Sequence, residues 1–389
     1  MSSFFDTAFD FNQQHPDLGI IALDGAKDFA QKVDRYLVEW YNHEAAIQNK
    51  PLHKDTFMLQ CDFPRFNSGD GKALIRDSVR GRDIYIVTDV GNYSIQYRMF
   101  GQMTPMSPDD HYADLKRVIG AIGGKAARIS VVMPMLYGGR QHRRTARESL
   151  DCAMMLQELE ALGVREFITF DAHDPRVQNA IPLTGFDSFM PTYQIIKALL
   201  RYESDLQIDK EHFMIVSPDE GAMSRNIYYA SVLGLDLGMF YKRRDYSTVV
   251  NGRNPIVAHE YLGSDVKGKD IFIADDIIAT GESLIGLAKD LKQKGARRIF
   301  LCATFALFTE GIQKFSEAYA EGLFDAVITT NLTYLRPEAL DQPWFAVADL
   351  SKFVAYILSA CNQEHSVSRL LDPHDKIKEI LDRHSSKRI

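Results

Sequence analysis

In the stretch Ile271-Phe272-Ile273-Ala274-Asp275-Asp276-Ile277-Ile278-Ala279-Thr280-Gly281-Glu282-Ser283-Leu284, an apolar, β-branched run ends in two acids and a short turn opens a helical pattern at 283–294. In a parallel sheet this spelling puts Asp275 and Asp276 at the carboxyl end of a strand, where ligands bind. Thr280, Gly281 and Ser283 fall at the turn and the helix start, where backbone N–H groups are unpaired and the helix dipole is positive. The two hydroxyls can donate to phosphate oxygens, and Gly281 lets the backbone come close. The segment reads as a phosphate cradle beside two carboxylates that bind a sugar diol, directly or through a cation. An ordinary strand–turn–helix with an acidic turn and a serine cap has nearly the same composition. The doubled acid and the Thr-Gly-x-Ser spacing are what favour the cradle.

The alternation extends in both directions. Upstream, strand patterns at 18–23, 56–61, 72–77, 83–88, 128–133 and 166–170 are interleaved with helical patterns at 26–46, 108–122 and 146–162. Around the quoted stretch, strands at 213–217, 237–241, 270–274, 298–303, 325–330 and 344–348 alternate with helices at 191–200, 222–233, 283–294 and 350–359. This rhythm predicts an α/β fold with parallel sheets flanked by helices. The loop-rich stretch 171–192 reads as a hinge between two such units, and the charged tail after His374 as a frayed end.

With 389 residues the chain has room for two or three domains, and 46% apolar with 25% charged residues is the balance of a globular protein. Disorder and collagen-like repeats are excluded. The 4 cysteines (Cys61, Cys152, Cys302, Cys361) lie far apart, without zinc or redox spacing, and suit a reducing cytoplasm. A net charge of −7 argues against coating nucleic acid but permits a small anionic ligand at a local basic cluster. No apolar run is long enough for a membrane span, and residues 1–14 lack the basic start and apolar core of a signal peptide.

Four further segments place charge at strand ends. Tyr137-Gly138-Gly139-Arg140-Gln141-His142-Arg143-Arg144 gathers guanidinium forks that match phosphate oxygens, and also fits a solvated basic loop. Phe170-Asp171-Ala172-His173 ends in a histidine that serves a magnesium ion or a phosphate, or is structural. In Val216-Ser217-Pro218-Asp219-Glu220-Gly221, Asp219 either holds a magnesium water shell or caps a helix. Phe240-Tyr241-Lys242-Arg243-Arg244 sets Lys242 and Arg244 side by side over developing negative charge, or as a snorkelling surface pair.

The Asp275–Ser283 segment resembles the ribose-5-phosphate loop of the phosphoribosyltransferase fold, which is shared by phosphoribosyltransferases and ribose-phosphate pyrophosphokinases (phosphoribosyl pyrophosphate synthetases). The other motifs, in family order from roughly Phe57 to Leu370, resemble the pyrophosphokinases. Arg140 and Gln141 match the family's ATP-binding segment, with His142 where Asp is usual and a shorter loop through Arg147. His173 matches its Asp-x-His motif, with Gln178 and Phe186-Asp187 following at family spacing. Asp219 matches its Ser-Pro-Asp turn, although Glu220 and Ala222 interrupt the usual glycines. Lys242 and Arg244 match its transition-state cations. The segments 65–71 and 79–86 resemble its N-terminal hairpin, whose phenylalanine, here Phe66, reaches adenine in a neighbouring subunit. Ala279 replaces a usual Asp and Glu282 a usual Gly; the Ala-Thr-Gly spelling is common in phosphoribosyltransferases.

The resemblance implies two tandem phosphoribosyltransferase-like domains. Residues 1–185, joined by the C-terminal helix region 346–389, would form the ATP side, and residues 186–345 the ribose 5-phosphate side. It implies transfer of pyrophosphate from ATP to the anomeric hydroxyl of ribose 5-phosphate, giving phosphoribosyl pyrophosphate and AMP. In that scheme Lys242 and Arg244 are catalytic, and Arg140, Gln141, Phe66 and His173 bind ATP. Asp275, Asp276, Thr280, Gly281 and Ser283 bind ribose 5-phosphate, and His173 and Asp219 serve Mg²⁺. It further implies a cytoplasmic homo-oligomer without nucleic-acid or membrane partners. Ala279, Glu282 and the short loop after Arg144 leave open a catalytically weak regulatory paralogue, and the Ala-Thr-Gly spelling a phosphoribosyltransferase acting on a base.

Overall fold

Runs of β-branched residues set between helical stretches form two largely parallel sheets in the computed structural model. It describes residues 8–144, 146–244 and 256–386, without the side chains of 242–244 and 256–259. The first unit takes in the chain up to Pro191 together with Asn331–Tyr334 and Asp349–Asp372; the second takes in Thr192–Thr330, Leu335–Ala348 and the chain from Pro373.

The first unit contains, in chain order, β1 (Leu18–Ala22), α1 (Lys27–Ile47), β2 (Cys61–Asp62), β3 (Leu74–Ile75), β4 (Asp83–Val87), β5 (Gln96–Met99), β6 (Gln102–Pro105), α2 (Pro108–Ile122), β7 (Arg128–Val132), α3 (Asp151–Ala161), β8 (Glu166–Phe170) and β9 (Gly185–Phe189). Its main sheet has the order β1-β4-β7-β8-β9, parallel throughout. The period of two in β4 divides its burial between the faces. Ile84 and Ile86 join Val131 and Phe167 in a core with Leu115, Val118, Met155 and Leu156 of α2 and α3. Tyr85 turns the other way, donates to Asp83 at 2.9 Å, and accepts from Arg128, which also reaches the Cys361 carbonyl. Helix α2 starts where a Ser107–Asp110 capping box satisfies its first N–H groups and stops at Gly123 with φ 59°.

The boundary between the units, Pro191 to Thr192, falls within the stretch 171–192 read as a hinge, but that stretch is not all loop, and the helix expected from 146 starts later. The stretch read as a hinge contains β9, paired in register with β8 from Glu166↔Gly185 to Phe170↔Phe189. Its single fully buried aromatic, Phe189, sits among half-exposed residues, so the edge strand carries no apolar run. The helix expected from 146 begins at Asp151. Before it, Arg144 donates to the Glu148 carbonyl at 2.8 Å and holds that residue outside the helix.

Past the end of β4, Asp89 is buried and accepts from the Gly91 N–H (3.0 Å), the Thr333 hydroxyl (2.9 Å) and the Tyr334 N–H (2.8 Å). Burial pushes its carboxyl up to about 7, against the pull of those donors.

The second unit contains α4 (Thr192–Tyr202), β10 (Phe213–Ser217), α5 (Met223–Leu233), β11 (Leu237–Arg244), β12 (Ile256–Leu262), β13 (Asp270–Ile278), α6 (Glu282–Gln293), β14 (Ile299–Ala306), α7 (Gln313–Ala320), β15 (Ala326–Thr330), α8 (Pro337–Leu340) and β16 (Phe345–Ala348). They are followed by α9 (Ser351–Asn362) and α10 (Ser368–Leu371), which belong to the first unit, and by α11 (His374–Ser386), which belongs to the second. The sheet order is β12-β11-β10-β13-β14-β15-β16, parallel except for β12 against β11. From β10 the chain steps outward to β11, then crosses back to β13 on the other side. The strand order therefore reverses beside β10, which opens a crevice at the carboxyl ends of β10 and β13.

Strand β13 is longer than its apolar run. Asp275 and Asp276 lie inside it rather than beyond its end, because β14 runs alongside and keeps pairing through Asp275↔Ala303 and Ile278↔Ala306. At its base, the fully buried Asp270 side chain is bridged by Arg297 at 2.5 Å and Arg298 at 2.7 Å. The tail expected to fray, and to join the first domain, forms α11 in the second unit. Its Ile377 is fully buried, it packs on α4 and α5, and His384 bonds the Leu206 carbonyl at 2.9 Å.

Asp89 gives a stability prediction. Its folded pKa lies above the unfolded value, so its contribution is complete below about 4 and is lost as pH rises through about 7. Between pH 5 and pH 8 the wild type should lose unfolding free energy relative to Asp89→Asn, by a few kcal/mol at most. Parallel urea midpoints at the two pH values test this, and a constant difference contradicts it.

Candidate active site

Three adjacent strands of the second unit carry the expected residues at their carboxyl ends. Asp219 follows β10; its Oδ1 accepts the Ala222 N–H at 3.1 Å, and its carbonyl accepts the Ser217 hydroxyl at 2.8 Å. Lys242 and Arg244 lie in β11 on one side, Lys242 opposite His259 of β12, and their side chains lie outside the described residues. Asp275 and Asp276 lie in β13 on the other side.

Asp276 is buried and Asp275 half-buried, and the Asp276 N–H donates to Asp275 Oδ1 at 2.9 Å. Burial, then the charge of Asp276, push Asp275 up to about 7. Arg225 of α5, 8% exposed, brings Nη1 to 3.7 Å from Asp275 Oδ1. Sequence reading missed Arg225, since a single arginine in an amphipathic helix carries no signal of what it faces.

Beyond β13 the chain turns through Ala279 and Thr280, and Gly281 caps α6 with φ 80° and no side-chain acceptor. The first-turn N–H groups of α6 are thus left to a ligand or water, at the positive end of the helix dipole. A β-carbon at Gly281 would stand 2.1 Å from Cζ of Phe315, a fully buried ring on α7. Phe315 therefore fixes the glycine, and no local spelling in the sequence pointed to it. Thr280 is half-buried and Ser283 exposed. Glu282, the first residue of α6, is exposed and paired with Lys314 at 2.5 Å; Lys314 also meets Glu310 at 2.8 Å. The Lys314 ammonium holds the Glu282 carboxyl below its ordinary range.

The first unit carries the other expected residues. Arg140 and Gln141 are exposed on the turn after β7, where the Gln141 N–H bonds the Gly138 carbonyl at 2.8 Å. His173 is exposed after the neighbouring β8, and its ring lies 5.3 Å from that of His142. His142 in turn lies 3.5 Å from Asp174, whose carboxyl Arg176 pulls down to about 2. The two strand ends therefore meet through His142. Phe66 is 56% exposed, on a hairpin tied to α2 by the Arg65–Asp114 pair at 2.6 Å. Asp174 was not among the expected residues. It reads as the start of a turn, and its partner arrives from another strand end.

A helix N-terminus and paired acids at the reversal of a parallel sheet define a phosphoribosyltransferase-type domain. The family profile described as phosphoribosyl transferase domain matches residues 188–324, and that described as the N-terminal domain of ribose phosphate pyrophosphokinase matches residues 18–163. The chain belongs to the ribose-phosphate pyrophosphokinase family. It is 27% identical over 329 residues to the ribose-phosphate pyrophosphokinase of Chromobacterium violaceum, covering 84% of this chain and 91% of that one. To that of Shewanella oneidensis it is 29% identical over 310 residues, covering 79% and 89%. The crystal structure of phosphoribosylpyrophosphate synthetase from Mycobacterium smegmatis superposes with a TM-score of 0.70 over 90% of this chain and 99% of that one, at 19% identity, a likeness of fold.

The Gly281 geometry predicts that Gly281→Ala destabilises the chain by about 1–3 kcal/mol, from a left-handed backbone and a clash with a packed ring. Urea unfolding measures it, and a neutral substitution would mean that Phe315 yields.

Proposed function

We infer that this chain is a ribose-phosphate diphosphokinase, transferring the pyrophosphoryl group of ATP to the anomeric hydroxyl of ribose 5-phosphate and releasing AMP. One observation supports it most: the Asp219 turn, the paired acids of β13 and the glycine-capped α6 all open on the crevice where the strand order reverses. Family membership supplies the reaction class. The α6 N-terminus with Thr280, Gly281 and Ser283 would hold the 5-phosphate, and Asp275 and Asp276 the ribose hydroxyls. Arg140, Gln141, Phe66 and His173 would hold ATP.

Attack of the anomeric oxygen on the β-phosphorus breaks its bond to the α-phosphate oxygen, and AMP departs with that oxygen. Such chemistry needs alignment and charge neutralisation more than covalent help. Lys242 and Arg244 would stabilise charge on the transferring group and the leaving oxygen. Two adjacent carboxylates, one raised to about 7 by burial and by its neighbour, suit a divalent cation. Among the described residues no group of three or more His, Cys, Asp or Glu forms a cage, and magnesium is commonly held by a carboxylate or two with water and substrate phosphates. Asp219 and His173 are the residues we assign to Mg²⁺, which when bound would neutralise the polyphosphate. We place the reaction in the cytoplasm, in a homo-oligomer with no nucleic-acid or membrane partner, the first unit serving ATP and the second ribose 5-phosphate. Among the described residues no helix is long and apolar enough to cross a membrane.

Phosphorus NMR of the protein with ATP, Mg²⁺ and ribose 5-phosphate should show AMP and a C1-pyrophosphate resonance growing together. ATP binding without turnover would point instead to a regulatory subunit, and consumption of phosphoribosyl pyrophosphate by an added base to a phosphoribosyltransferase. Lys242→Ala should lower kcat by at least about 100-fold without changing the melting temperature. Unaltered turnover would remove Lys242 from the mechanism.

A further inference from the structure

Asn226 of α5 is completely buried, and every polar atom of its side chain is engaged. Its Oδ1 accepts the Ala274 N–H at 3.2 Å, and its Nδ2 donates to the Ala274 carbonyl at 2.8 Å. The same nitrogen donates to the Ala222 carbonyl at 2.8 Å and lies 3.3 Å from the Ser217 hydroxyl. Each contact has a consequence for the site. The ladder between β10 and β13 ends at Val216↔Ile273, because β10 turns away at Ser217 toward Asp219. Beyond that point the β10 side of Ala274 has no strand beside it. The Asn226 carboxamide presents one donor and one acceptor, in place of the C=O and N–H that two residues of a parallel neighbour would supply, and so continues the ladder to Ala274. Asp275 and Asp276 follow immediately.

The other contacts lead to the Asp219 turn. Ser217, beside Nδ2, donates its hydroxyl to the Asp219 carbonyl, and Ala222, whose carbonyl accepts from Nδ2, gives its N–H to the Asp219 carboxylate. One buried amide thus joins the turn carrying Asp219 to the strand carrying the paired acids. A helix-interior asparagine is otherwise a weak choice, since its side chain competes with the helical backbone. Next to it, Arg225 reaches the Asp275 carboxylate from the same helix.

We propose that Asn226 is a positioning residue that fixes the distance between the Asp219 turn and the Asp275–Asp276 pair. This deepens the assignment of those groups to Mg²⁺ and ribose, and rests on it. Asn226 touches no substrate itself; it acts by keeping β13 straight after β10 has left the sheet.

The test compares wild type, Asn226→Ala and Asn226→Ser. The serine hydroxyl keeps a partner in the Ala222 carbonyl, one helical turn back, but withdraws from Ala274. Both variants should raise the KM for ribose 5-phosphate about tenfold and lower kcat about tenfold, leaving the KM for ATP within about twofold, because a misplacement near 1 Å is costly in such alignments. Hydrogen–deuterium exchange should show faster exchange in peptides spanning Ala274–Ile278 and unchanged exchange in β14. A lower melting temperature with unaltered KM and kcat in the folded fraction would reduce Asn226 to a structural residue and overturn the proposal. Insolubility of both variants would overturn it too, since a local latch is not needed for folding. If the wild type itself makes no phosphoribosyl pyrophosphate, the assigned reaction fails separately. Exchange then decides the latch, and unchanged protection of Ala274–Ile278 overturns it.

Discussion

The second unit is organised around the hold of two guanidinium groups on one carboxylate. Asp270 opens β13 with its side chain wholly removed from water, and Arg297 and Arg298, just ahead of β14, both grip it. Removing both arginines would leave the buried carboxylate uncompensated, a loss that typically costs about 3–5 kcal/mol. The contact sets the register of β13 on β14, and a slip of one residue would turn every side chain of the strand to the opposite face. Asp275 and Asp276 would then exchange environments, and Ala274 would leave the Asn226 amide. The chemistry at one end of the strand depends on the ion pairs at the other.

The two units use similar materials differently. In the first, strand order follows chain order from β1 to β9, and in the second it reverses beside β10. A reversal sends neighbouring connections to opposite faces and leaves an opening between two strand ends. The groups in that opening are matched in charge: the N-terminus of α6 is electropositive, the acids of β13 are negative, and Arg225 stands behind Asp275. Glu282, negative at the cradle's edge, is partnered by Lys314, so the departure from the family's glycine comes with its own counter-charge.

Much of this was legible along the chain, wherever the cause is local. Helix α2 begins and ends as the sequence reads, since Pro108, the Ser107–Asp110 box and Gly123 are local signals. The turn into α6 was legible for the same reason: Gly281 and the doubled acid are unusual within a few residues. What failed was decided across distance. Nothing within Asp275-Asp276-Ile277-Ile278 says that the strand continues, because the continuation is dictated by β14. The edge strand β9 needs β8 to exist, and α11 needs α4 and α5 to cover Ile377. Phe315 and Asn226 look like an ordinary aromatic and an ordinary polar helix residue until folding brings Gly281 and Ala274 to them. The side chains of Lys242 and Arg244 lie outside the described residues.

Asp83 and Asp270 occupy matching places: each opens an interior strand, each is gripped by arginine at or just before the start of a neighbouring strand, and each is followed six residues on by another acid, Asp89 and Asp276. In the first unit that later carboxylate is already engaged by Thr333 and Tyr334, chain segments that never diffuse away. A free pentose competing for the same oxygens would face a tethered rival at an effective concentration of about millimolar or more. Saturating the chain with sugar phosphate should therefore fill one seat, not two, although both halves descend to the same strand-and-acid plan.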